Sequence, residues 1–163
     1  MKKTISILLP IIISFVFLQS LPFKFSNSLE TQHIFSTLAD WSGLQWFGSY
    51  GGYIVGTFEL VASLMLLVPL VFKLIGKPIA QPLLPLGALL ALGIMTGAIY
   101  FHLFTPLGIV QPYFDAQTAT PIGDDSPGIL FVMACIAWLS ALVLVLMDLS
   151  SKESYLKGFL GKS

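Results

Sequence analysis

Four stretches of the chain run apolar with no polar face: residues 5–21, 51–72, 79–104 and 129–147. Each reaches or approaches the roughly 17–25 residues that cross a bilayer as a helix. A helix of a soluble core keeps a polar stripe, and these segments have none. The pattern predicts an all-α fold, a four-helix transmembrane bundle forming one domain over residues 1–163, with spans at 4–22, 51–72, 79–104 and 127–148. Between the first two spans, residues 27–41 place Ile34, Phe35, Leu38 and Trp41 at helical spacing, and Asn27 with Glu30 has the form of a capping box. A short amphipathic helix at the outer interface is expected there. Trp41, Trp46, Tyr50 and Tyr53 follow as an aromatic belt. Residues 105–127, rich in Pro, Gly and Asp, read as an irregular outer loop in which Asp124 and Asp125 are solvated.

Composition supports lipid as the solvent. Hydrophobic residues make up 56% of the chain and charged ones 10%, against about 45–50% and about 25% in soluble domains. The net charge of zero conceals an asymmetry. Lys2 and Lys3 precede the first span, Lys73 and Lys77 lie between the second and third, and Lys152, Lys157 and Lys162 follow the fourth. The remaining loops carry Lys24 among five acids, Glu30, Asp40, Asp115, Asp124 and Asp125. Lysine excess marks the cytoplasmic side, so both termini and the Lys73/Lys77 link are expected inside. A lysine pair before an apolar run also describes a signal peptide, with Ser26 and Ser28 as small residues for cleavage. The run at residues 5–21 exceeds the usual apolar region of about 7–15 residues, so the first span is read as retained.

Several chemistries lack their residues. Cys135 is the single cysteine and lies mid-span, which leaves no disulfide and no CxxC pair. It reads as a small hydrophobe at a helix contact. No tightly spaced metal motif, phosphate-binding glycine loop, Ser/His/Asp set or nucleic-acid patch occurs in the sequence.

One residue breaks the apolar pattern. Glu59 lies deep in the second run, and an ionisable group inside a membrane span is by default a functional candidate. Gly52, Gly56, Glu59 and Ser63 recur at intervals of four, three and four, so they share a face. Small residues that permit close backbone approach mark helix interfaces in lipid, and Glu59 therefore points into the bundle. In the third run, Ala88, Ala91, Met95, Ala98 and His102 form a similar seam. With the second helix entering from outside and the third leaving outward, Glu59 lies about 12 Å below the outer boundary. His102 ends the third span at the same face, about 9 Å higher, and Lys24 closes the first helix there. Three ionisable groups from three helices share the outer half, with Gln19, Tyr100 and His33 as polar neighbours. Lys24 alone reads as a snorkelling lysine and His102 alone as an interfacial one. Together they favour a shared polar pocket over a purely structural network. Glu59 is then either neutral and hydrogen-bonded or ionised and paired with Lys24 or His102.

The order of these blocks resembles a family. Residues 15–25 (FVFLQSLPFKF), 33–38, 56–69 (GTFELVASLMLLVP) and 86–104 (LGALLALGIMTGAIYFHLF) are similar to the successive blocks of DoxX-like membrane proteins. In that pattern a Lys ends the first helix, the second carries Gly, two residues and Glu-Leu, and the third carries Ala and His near its end. The matching positions are Lys24, Gly56, Glu59, Leu60, Ala98 and His102. Many members also carry an Arg in or before the first helix, where this chain has only Lys2 and Lys3. The resemblance implies a four-helix bundle in a bacterial cytoplasmic (inner) membrane, in some relatives a quinone-linked oxidoreductase subunit and in others an associate of redox or assembly partners. Three functional expectations follow. The first is a pocket for a quinone-like or other small apolar molecule, or a membrane or redox protein partner, held by Glu59, His102 and Lys24. The second is a non-enzymatic accessory or assembly factor, and the third a proton-coupled small carrier.

Overall fold

A computed structural model describes residues 2–77, 82–151 and 154–160. Residues 79–81, at the expected start of the third span, and Lys152 and Lys162 lie outside the described residues. The elements are α1 (Lys2–Phe25), α2 (Leu29–Ser42), α3 (Gln45–Leu74), α4 (Leu83–Phe104), β1 (Pro112–Phe114), β2 (Pro121–Asp124), α5 (Ile129–Leu149) and α6 (Tyr155–Leu160). Four helices are long and apolar enough to cross a membrane: Thr4–Phe25, Gln45–Lys73, Leu83–Phe104 and Ile129–Leu149. They close a ring in which α1 packs on α3, α3 on α4, α4 on α5 and α5 on α1.

The ring closes where side chains are small. Ala88 and Ala91 of α4 and Ala134, Ala137 and Ala141 of α5 are buried, and Ile13 and Phe17 of α1 and Leu66 of α3 join them in one core. The exterior is the inverse, with Phe15, Phe58, Leu64, Phe104 and Leu139 each half exposed or more. Lipid, not water, suits such a surface. Gly52, Gly56, Ser63 and Ala91 are buried, while Ala98 is half-buried. Close approaches also fall at two further glycines of the helices. A Cβ on Gly51 would run into the Phe35 ring, and one on Gly87 would meet Met65 Cβ at 2.8 Å. Gly51→Ala is expected to push α2 off α3 and cost about 1–3 kcal/mol. Its unfolding midpoint in detergent checks this, with Gly93→Ala, whose Cβ meets nothing within 4 Å, as the control.

Several local details differ from the expectations. Ser28, not Asn27, caps α2: its hydroxyl accepts from Thr31 N at 3.3 Å, and Asn27 takes a left-handed conformation with φ 51°. Asn27 forms the turn after α1, which runs on to Phe25. Glu30 is turned away from the cap and accepts from Phe114 N at 3.5 Å. The buried face of α2 is Thr31, Phe35, Leu38 and Ala39, and Trp41 is exposed. Next, α3 starts at Gln45, so Trp46 and Tyr50 stand on its first turns; they, Trp41 and Tyr53 are all exposed.

The stretch after α4 is more ordered than its composition suggests. β1 and β2 form an antiparallel hairpin with Pro112 opposite Asp124. Asp115 closes its turn, its Oδ1 accepting from the backbone N–H groups of Thr118 and Gln117 and from the Thr118 hydroxyl. Those bonds, that of the Thr118 N–H foremost, hold the Asp115 carboxyl below its ordinary range. The largest correction is Asp125, which is buried and not solvated. Finally, the fourth span is followed by α6, whose Leu156 is buried and whose first N–H groups are anchored by Asp148 and Ser154.

Candidate functional site

The last turns of α1 carry the cation. Lys24 lies one turn beyond Ser20, so both side chains leave the same face of α1 toward α3. Gly56 faces them: a Cβ there lies 3.4 Å from Lys24 Cβ, which shows how closely the lysine stem crosses α3. One turn further along α3, Glu59 is 3% exposed. Lys24 Nζ stands 2.6 Å from Glu59 Oε2 and donates also to Ser20 Oγ at 2.8 Å. The Ser20 hydroxyl lies 3.0 Å from the same carboxylate oxygen and 2.7 Å from Phe17 O, the two acceptors open to its single proton. Of the partners open to Glu59, the structure selects Lys24. Ser20 completes the pair, and its signal was its place four residues before Lys24.

His102 reaches the site from α4 and bonds elsewhere. Its Nδ1 is 2.6 Å from Gly108 O. A carbonyl only accepts, so Nδ1 carries the proton, and in the neutral ring Nε2 is left as an acceptor. The ring also meets Phe131 edge-on at 5.7 Å. No hydrogen bond joins His102 to Glu59 among the described residues. The two instead face a common cavity of about 330 Å³, bounded by α1, α2, α3, α4 and the start of α5. Val16, Ile34, Phe35, Val55, Ile94 and Phe101 give it apolar walls, and Gln19, Ser20, Lys24, Thr31, Glu59 and His102 its polar groups.

Of the other expected neighbours, Gln19 reaches the cavity and Tyr100 and His33 do not. Gln19 lines the cavity, its amide N donating to Met133 Sδ at 3.2 Å. Tyr100 does not line it, being exposed and stacked on Phe104 with ring centres 5.2 Å apart. A residue two before His102 on a helix points about 160° away. His33 lies on the outer side of α2 against Phe114, in a separate open groove of about 550 Å³ with Asn27, Ser49 and Tyr53.

A second buried cluster seals the cavity at the hairpin end. Leu107 and Leu130 both line the cavity. Asp125 ties their segments together: Oδ1 accepts from Gln111 N at 2.5 Å and Oδ2 from Leu130 N at 3.2 Å. Gln111 in turn donates through Nε2 to Leu107 O and Gly108 O, at 3.0 and 3.1 Å. Gly108 O is therefore shared between Gln111 and His102, so the loop sets the imidazole's tautomer and direction. Sequence pattern gave no sign of this, since an Asp pair in a Gly/Pro stretch has no periodicity to reveal a buried face. Comparisons with models of known protein families, with curated proteins and with solved structures give no match.

Proposed function

We propose that this chain is an integral membrane protein of DoxX-like type, held in a bacterial cytoplasmic membrane with both termini inside, whose cavity binds a small, largely apolar molecule of quinone type. The observation that carries the reading is the cavity itself, apolar-walled and about 330 Å³ in volume, with an ion pair and an imidazole among its lining. Ligand sites are commonly clefts of about 300–1,000 Å³ lined by apolar side chains with a few placed polar groups. α2 then lies at the outer interface, with Trp41, Trp46, Tyr50 and Tyr53 exposed at headgroup level. Retention of α1 belongs to the same reading, because α1 supplies the only cation in contact with Glu59 among the described residues.

A single cysteine excludes dithiol chemistry within this chain. If the site is enzymatic, the chain is a quinone-linked oxidoreductase subunit that exchanges electrons with a redox partner. Lipid extracted from the detergent-purified protein is expected to contain quinone in near-stoichiometric amount. Glu59→Gln is expected to reduce it several-fold. Absence of quinone, together with unchanged dye-linked quinone reduction in Glu59→Gln, overturns the reading.

A second reading, a non-enzymatic accessory factor, is favoured by one observation: the open groove between α2, α3 and the hairpin, where His33, Tyr53 and Phe114 are accessible to a protein partner. It gains if a partner that co-purifies with the native protein is lost on Tyr53→Ala while quinone content is unchanged.

A further inference from the structure

We infer that the cavity selects a hydrogen-bond donor, an apolar molecule headed by a phenolic or alcoholic hydroxyl and, within a quinone couple, the reduced hydroquinone. This rests on the reading of the cavity as a ligand site and adds the polarity of its ligand. The donors around the cavity are largely engaged within the protein. Lys24 donates to Glu59 and Ser20, Ser20 to Phe17 O or Glu59, and Thr31 to Phe23 O. Gln19 donates to Met133, and His102 Nδ1 to Gly108 O.

Two acceptors stay open. Glu59 uses only Oε2 for Lys24 and Ser20, so Oε1 has no partner among the described residues. Nε2 of His102 has none either. Neither atom is sealed from contact, in contrast to the enclosed unpaired atoms Ser14 Oγ, Ser63 Oγ and Gln111 Oε1. A spare N–H remains on the Lys24 ammonium and the Gln19 amide, but Gln19 is exposed and Lys24 is held against the carboxylate. A quinone carbonyl brought to Oε1 or Nε2 sets acceptor against acceptor. A hydroquinone hydroxyl donates to either, and the bond to a carboxylate is of the stronger, charge-assisted kind. Lys24 already balances the Glu59 charge, so an ammonium ligand has no counter-charge to gain and a desolvation cost to meet. A neutral hydroxyl is the better fit.

The test compares three probes of nearly equal apolar body, a short-chain hydroquinone, its dimethyl ether and the matching quinone. Binding of each to the protein in nanodiscs is measured anaerobically against empty nanodiscs. The hydroquinone is expected to bind on the order of tenfold or more tighter than the other two. His102→Phe leaves the Lys24–Glu59 pair in place and is expected to weaken the hydroquinone selectively, with ether binding unchanged. Equal binding of all three, or quinone binding tightest, overturns the donor inference but keeps the cavity as a ligand site. Binding of none above empty nanodiscs overturns the cavity as a quinone site altogether.

Discussion

Lys24→Met is expected to destabilise the protein by about 3 kcal/mol or more, because it removes the cation and leaves a carboxylate buried without compensation. Glu59 is 3% exposed and anchored in the middle of a helix. Its carboxylate faces the cavity between the helices and lies far from the ends of α3. The reverse variant, Glu59→Gln, is expected to cost less. Lys24 sits in the last turn of α1 on a four-carbon stem, so its ammonium can snorkel to the interface once released. The double variant Lys24→Met/Glu59→Gln is expected to recover most of the loss, since a neutral amide needs only hydrogen bonds and Ser20 is within reach. The expected order of unfolding midpoints is therefore wild type, then double, then Glu59→Gln, then Lys24→Met. A double variant no more stable than Lys24→Met contradicts the buried-charge account.

That pair also shows how far the sequence leads. The face of Glu59 followed from Gly52, Gly56 and Ser63 at helical intervals, because a helix fixes direction by count alone. Its partner did not follow, since Lys24 and His102 were both within reach once helix ends were uncertain by a few residues. The choice is made by the loop after α4, which engages His102 Nδ1 through Gly108 O and leaves Lys24 as the cation in contact with the acid. Tyr100 and His33 were placed near the site by depth, and depth says nothing of azimuth. Composition marked residues 105–127 as irregular, yet the hairpin and Asp125 hold that end together through backbone N–H groups. Such bonds leave no trace in hydrophobic periodicity. Ser20 was missed, although a small polar residue four before Lys24 shares its face and could have marked it as a companion.

Asp125→Ala is expected to loosen one end of the molecule and leave the rest intact. Its carboxylate accepts from Gln111 N and Leu130 N. Removal strands two donors in a region where both Asp125 and Gln111 are buried, at about 1–3 kcal/mol for each unsatisfied group. It also takes a negative charge from the N-terminus of α5, where the helix dipole favours one. The backbone bonds of Asp125 to Gln111 O and from Gly128 N remain, so the hairpin stays tethered but mobile. Amide exchange over residues 105–130 is expected to accelerate on the order of thirtyfold, with α1 and α3 unchanged, as in local opening. Lys24→Met is expected to give the opposite map. The effect reaches the cavity through Gln111, whose amide shares Gly108 O with His102. Released from that carbonyl, the imidazole samples both neutral tautomers, which nitrogen chemical shifts of His102 report directly. Asp125→Asn keeps one acceptor and should fall between. Uniform acceleration across all helices in Asp125→Ala, with a His102 tautomer unmoved, makes Asp125 a contributor to global stability and not the latch of this end.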